Sequence, residues 1–348
     1  MATPSEQTLL LTGANSYVGS HIIQLALSKG YHVRGVVRSS RSIPGILAKF
    51  PSHASQLSFA EVPDITNPSL FAPAFDSPPR PITGVIHVAS PFTLTVSSNK
   101  ADLLDPAING SLAILSATAQ YGGPSVRRII VTSSFASILD VNAGARPGYT
   151  YTEADWNPMT YDEATTAPGP AAYCASKALA EKAMWDWVAE HKPPFGLVVV
   201  NPPWVFGPHV GGIEDLNHLN ESTHALYSLI GAKEVPPLDF AGFVDARTLA
   251  EAHISAFESK EEGVVGERFL VGGHFDWQSV ADAVREELPE LKERIPVGNP
   301  GVVQETYVVD GSKAERALGI KYIGLRESMR DSYKQLLEAE KKASAKSG

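Results

Sequence analysis

The stretch Leu9-Leu-Leu-Thr-Gly-Ala-Asn-Ser-Tyr-Val-Gly19 decides how this chain is read. A short apolar run, Leu9–Thr12, stops on a glycine, and Tyr17–Ser28 then repeats Val18, Ile22, Leu25 and Ala26 at helical spacing. Strand, glycine turn and helix in that order form a phosphate-binding turn. Glycine permits the tight bend, and backbone N–H groups at the helix start can approach a pyrophosphate. Gly13 and Gly19 suit the first and last glycines of such a turn, while Ser16 stands where a middle glycine is usual. The competing reading is an ordinary βα turn. It loses weight because a second strand-like run, Tyr31–Val37, follows the helix.

Outward from this turn, strand-like runs at Val85–Ala89, Arg128–Thr132 and Leu197–Asn201 alternate with helical stretches at Ala107–Ala119 and Ala175–Glu190. The alternation predicts an α/β protein with a doubly wound parallel sheet of the Rossmann type, whose ligand crevice lies at the carboxyl ends of the strands. After Pro202 the pattern is broken by proline and glycine. Phe240–Val244 and Arg268–Val271 read as further strands. Ser279–Leu288 and Arg326–Ala339 read as helices of a smaller C-terminal substrate lobe. The expected division gives residues 1–202 and 238–274 to the dinucleotide-binding domain, 203–237 and 275–340 to the lobe, and 341–348 to a flexible tail.

The 348 residues are 43% hydrophobic and 19% charged, as in a globular enzyme with a large core. A net charge of −9 repels nucleic acid and anionic membranes, so neither is expected as a partner. A lone cysteine, Cys174, rules out an intrachain disulfide framework. The opening MATPSEQ lacks a charged-then-apolar signal layout, and no apolar run reaches membrane-spanning length. A cytoplasmic protein is expected. No metal-ligand spacing such as HExxH is present, so no metal is expected. Neither a Gly-x-Ser-x-Gly elbow nor a Walker-type loop occurs.

The end of the second strand bears on cofactor choice. An NAD site usually places an acidic residue there; this chain has Arg38, Ser39, Ser40 and Arg41. Arginine can fork onto a 2′-phosphate, which points to NADPH/NADP+. Asp64 and Ile65 follow another strand and are placed beside the adenine. Tyr173 and Lys177, four apart on a helix, share one face with Glu181. An ammonium beside a phenol is expected to lower its pKa and fit it for general acid–base work on a carbonyl or alcohol. The hydroxyls of Ser133 and Ser134 follow a strand end and can hold the substrate oxygen. His87-Val-Ala-Ser90 and Asn201-Pro-Pro-Trp-Val-Phe-Gly-Pro208 follow two other strands. The candidate cofactor contacts on these turns and strand ends are Gly13, Asn15, Ser16, Tyr17, Val18, Gly19, Arg38, Arg41, Asp64, Ile65, Val88, Ala89, Ser90, Thr132, Ser133, Tyr173 and Lys177, with Val205 on the segment after Asn201.

In the order TGANSYVG, GYHVRGVVRS, HVASPF, TSS, YCASKALAEKAMW and NPPWVFGP, the chain resembles the extended short-chain dehydrogenases/reductases. The resemblance lies in the branch with dihydroflavonol 4-reductase, yeast aldehyde reductases and fungal ketoreductases, and covers nearly the whole chain. It implies Ser134, Tyr173 and Lys177 as the catalytic set and Arg38 as the 2′-phosphate contact, with Arg41 near a second basic position. It also implies that Pro202 and Trp204 meet nicotinamide and substrate, and that Phe92, Phe135, Leu139 and Trp204 line the pocket. The function implied is NADPH-dependent reduction of an aldehyde or ketone by a monomer or homodimer acting on a small molecule. The alternatives are a dihydroflavonol-type or hydroxysteroid oxidoreductase, and a non-catalytic NADP-binding redox sensor.

Overall fold

The computed structural model describes residues 2–90, 96–261 and 263–347. Its centre is a seven-stranded parallel sheet: β1 (Thr8–Thr12), β2 (His32–Val37), β3 (Leu57–Glu61), β4 (Ile82–His87), β5 (Arg128–Thr132), β6 (Gly196–Asn201) and β7 (Arg268–Leu270). Their order across the sheet is β7-β6-β5-β4-β1-β2-β3. The chain thus starts in the middle, winds one way to β3, and returns past β1 to wind the other way. That reversal opens a crevice beyond the carboxyl ends of β1 and β4, where ligands bind in such sheets.

Both sheet faces are covered, and the strands show it at period two. Leu9, Leu11, Ile86, Ile130, Val198 and Val200 face the core shared with helices Tyr17–Ser28 and Ala246–Glu258. Leu10, Val85, Ile129, Val131, Leu197 and Val199 face the opposite core, under helices Asp105–Tyr121 and Gly169–His191. Gly35 is required by close packing: a Cβ there would stand 3.0 Å from both Ala14 and the Phe59 ring.

Beyond the sheet, three short strands, Trp204–Phe206, Gly242–Asp245 and Gly273–His274, form a small sheet of their own. It packs with helices Trp277–Glu287 and Leu325–Ser347 around Phe206, Phe275, Trp277 and Tyr333. The strand expected at Phe240–Val244 forms over Gly242–Asp245, in this smaller sheet and not in the main one. The last helix runs to Ser347 rather than stopping near Ala339, because the 341–347 stretch expected as a tail is built of good helix formers. Among the described residues, no helix is long and apolar enough to cross a membrane.

Candidate active site

The glycine turn is shaped by two contacts that only glycine allows. Gly13 has φ +70°, and a Cβ on Gly19 would lie 2.2 Å from the Gly13 carbonyl oxygen. Ser16 caps the following helix: its hydroxyl accepts from the Gly19 N–H at 3.0 Å. The serine that departs from the usual glycine thus satisfies one orphan donor of the first turn. The amides of Tyr17 and Val18 belong to the same turn, where helix geometry supplies no acceptor. Tyr17 packs its ring against His21 and His209 and donates to the Gly207 carbonyl at 2.7 Å, tying the phosphate-binding helix to the segment after β6.

Thr12 organises the next strand end, and pattern reading passed over it. Its hydroxyl oxygen accepts from the amides of Val88 and Ala89, both at 3.1 Å, and lies 2.9 Å from His87 Nδ1. With two donors already on that oxygen, its single proton goes to His87 Nδ1. Burial pushes the His87 pKa down to about 4, so the ring is neutral. Ser90 at the end of this segment accepts from Lys177 Nζ at 2.7 Å.

Ser133 and Ser134 leave β5 while still paired to the neighbouring chain segment. The Ser133 amide donates to the Val200 carbonyl and the Phe135 amide to the Pro202 carbonyl, each at 2.8 Å. Ser134 caps the short turn Phe135–Ser137, accepting from the Ala136 amide at 3.1 Å. Thr132, one residue earlier, turns its hydroxyl away to His253 Nε2 at 2.7 Å, so its backbone is what it can offer the crevice.

Tyr173 and Lys177 lie on one face of helix Gly169–His191, with the ammonium 5.5 Å from the phenol ring centre. Burial raises the Tyr173 pKa, with the Ser134 hydroxyl pulling in the opposite direction. The lowering expected from Lys177 is not found, because desolvation of the phenolate dominates. At neutral pH the phenol is protonated, the form that can donate. Burial brings Lys177 down to about 8. Cys174, beside the tyrosine, is buried, and burial pushes its thiol up to about 12.

The basic turn after β2 is exposed, and neither Arg38 nor Arg41 makes a side-chain hydrogen bond or ion pair among the described residues. Glu61 at the end of β3 accepts from the Ser40 amide at 2.7 Å and fixes the turn. Asp64 is exposed and occupied locally by Thr66, whose amide and hydroxyl it accepts at 2.9 and 2.7 Å. Ile65 packs on the core beneath β3. Asn15 is exposed at the glycine turn, while Pro202, just past β6, is buried and Val205, in the short strand Trp204–Phe206, is half-buried. Two free cations, a glycine cradle and a helix start on one crevice fit a phosphorylated dinucleotide.

Two of the residues expected in the pocket lie elsewhere. Phe135 is 0% exposed and Leu139 4%, both inside a cluster with Tyr151 and Tyr307. They form packing beneath the crevice instead of its wall, because the turn at Phe135–Ser137 folds the chain back inward. Phe92 lies outside the described residues. Trp204 is half-buried, stacked on Phe206, with its indole N–H donating to Asp239 at 3.0 Å.

Residues 9–272 match the NAD dependent epimerase/dehydratase family. The chain belongs to that family, of the extended short-chain dehydrogenase/reductase type. Within the epimerase/dehydratase family it is 35% identical to the NADPH-dependent methylglyoxal reductase of Saccharomyces cerevisiae, over 96% of this chain and 99% of the relative. It is 34% identical to a ketoreductase of Aspergillus niger, over 95% and 97%. The crystal structure of the yeast methylglyoxal/isovaleraldehyde reductase complexed with NADPH superposes with a TM-score of 0.88, at 34% identity, covering 96% of this chain and 99% of that one.

Proposed function

We propose that this family member reduces an aldehyde or ketone to an alcohol with NADPH, Tyr173 donating the proton. The observation that carries the assignment is the meeting of three things at one crevice: a protonated Tyr173, Lys177 one turn away, and Ser134 at the end of β5. NADPH, when bound, supplies the hydride. The chain's own residues do the rest. The glycine turn Gly13–Gly19 and the arginines Arg38 and Arg41 hold the phosphates. Val88, Ala89 and Ser90, fixed through Thr12, form the wall of the nicotinamide half. Ser134 hydrogen-bonds the carbonyl oxygen, and Tyr173 delivers a proton to it as negative charge develops there. Lys177, held by Ser90, places a positive charge beside the phenol and stabilises the phenolate left behind.

The relatives named for NADPH-dependent methylglyoxal reduction and ketone reduction support this substrate class. The location we propose is the cytoplasm, and the substrate lobe is the layer built on Trp204–Phe206 and the last helices. The test is NADPH oxidation across aldehydes, ketones, flavanones and steroids. Turnover of isovaleraldehyde or simple ketones is expected. Turnover confined to flavanones or steroids would move the assignment to those reductases, and none at all would leave only cofactor binding.

A further inference from the structure

The carboxylate of Glu181 takes no part in the proton transfer above, yet several elements converge on it. Glu181 lies one turn beyond Lys177 on the same helix and is 0% exposed. Its Oε2 accepts from the Ser133 hydroxyl at 2.6 Å, the Ser137 hydroxyl at 2.7 Å and the Asn201 amide at 2.7 Å. Its Oε1 is ion-paired with the Arg268 guanidinium, at the start of edge strand β7. Arg268 is itself clamped: it donates to the carbonyls of Glu153 and Asp155, each at 2.8 Å, and lies 3.4 Å over the Trp156 ring.

These bonds enclose one residue of the active site. Ser134 sits between Ser133 and the turn that ends at Ser137, both tied to the same carboxylate oxygen. Its carbonyl also accepts from the Asn201 amide at 3.3 Å, and the Ser137 hydroxyl oxygen, whose one proton goes to Glu181, lies 2.8 Å from it. The backbone that carries Ser134 is therefore held from below by a charge mounted on the helix that carries Tyr173 and Lys177, while the Ser134 hydroxyl oxygen accepts from the Ala136 amide at 3.1 Å. A buried carboxylate has only acceptors, so it aligns every donor around it.

We propose that Glu181 is a positioning residue for carbonyl reduction, locking the Ser133–Ser137 segment so that Ser134 and Tyr173 meet the same oxygen. The proposal rests on the assignment of Ser134 and Tyr173 made above. Glutamine at this site keeps the length but not the chemistry. Its NH2 must face either Arg268 or the Asn201 amide nitrogen, both donors. If Asn201 turns its Oδ1, which has no partner among the described residues, toward the new NH2, its own N–H leaves the Ser134 carbonyl.

The experiment measures single-turnover reduction of isovaleraldehyde, NADPH affinity and melting temperature for E181Q, S134A, E181Q/S134A and the apolar pair E181M/R268M. E181Q is expected to slow the single-turnover step by about 10–100-fold, the scale of an ångström-sized misplacement. NADPH affinity is expected to stay near the native value. Because replacing both members of a buried ion pair by apolar residues is commonly tolerated, E181M/R268M tests a folded protein without the charge. It is expected to melt near the native temperature and still react slowly. In the S134A background, E181Q is expected to add little, since its effect passes through Ser134. Losses that multiply in the double variant, or full speed in E181M/R268M, would overturn the positioning role. Full speed in S134A alone would instead overturn the assignment on which it rests.

Discussion

At the scale of residues, the phenol of Tyr173 and the ammonium of Lys177 divide the work by charge. Tyr173→Phe removes one hydroxyl and little volume, so the fold and NADPH binding are expected to persist. Turnover should fall by roughly 100-fold or more, the scale of general acid catalysis. Near-native turnover in steady-state assays would remove Tyr173 from the chemistry. Lys177 carries a second prediction. Its pKa is depressed to about 8 by burial, so its ammonium is lost as pH rises through that value, well below where a solvated lysine would discharge. The profile of kcat/KM, which reports the free enzyme, is therefore expected to fall on an alkaline limb centred near pH 8. An activity flat to pH 10 would show that the charge on Lys177 is not needed. Arg38→Ala addresses the cofactor. A charge-assisted hydrogen bond to a phosphate contributes about 1.5–3 kcal/mol, so the KM for NADPH should rise by one to two decades while that for NADH barely moves. Equal losses with both cofactors would assign the arginine to structure.

At the scale of elements, the glycine turn is tightly constrained. Gly19→Ala drives a methyl into the Gly13 carbonyl oxygen, and NADPH binding in a fluorescence titration is expected to collapse. Ser16→Ala removes only a cap and is expected to cost about 0.5–2 kcal/mol in denaturant unfolding, with the turn intact. The contrast shows what could be read from residues and what could not. The strand–turn–helix unit was legible because glycine spacing and apolar period act locally. The same holds for the strands at Arg128–Thr132 and Leu197–Asn201 and for the face shared by Tyr173, Lys177 and Glu181. The small sheet was less legible, since two- to four-residue strands carry almost no periodic signal. The resemblance puts Phe135 and Leu139 on the pocket wall, but a shared segment does not tell whether an apolar residue after a strand end lines a cavity or fills a core. Thr12 and Arg268 were missed for a different reason: each acts through a partner far along the chain, and spacing along a sequence does not encode it.

At the scale of the whole molecule, the crevice lies between the sheet's carboxyl edge and the layer that begins at Trp204. If Trp204 forms the aromatic wall proposed for it, burying an unpaired anion against that wall is costly. Neutral aldehydes and ketones with a bulky apolar group are expected to outperform keto acids of similar size in kcat/KM. A clear preference for the keto acids would mean that a cation reaches the pocket. Trp204→Ala should shift the ranking of small against large substrates, by about 1–3 kcal/mol per methylene. The pairing of Glu181 with Arg268 also bears on how the chain comes into being. The two are 87 positions apart, with Arg268 the later. At about 5–20 residues per second of synthesis, the helix bearing Tyr173 and Lys177 emerges some 4–17 seconds before the Arg268 cation that pairs with its buried carboxylate. Until then docking that helix leaves the Glu181 carboxylate buried without its cation, at a cost of about 3–5 kcal/mol. Helix Ala246–Glu258, which covers the phosphate-binding helix on the other sheet face, is also made late. Both faces of the crevice are thus completed in the last third of synthesis, and a chain truncated before β7 is expected to show no reductase activity.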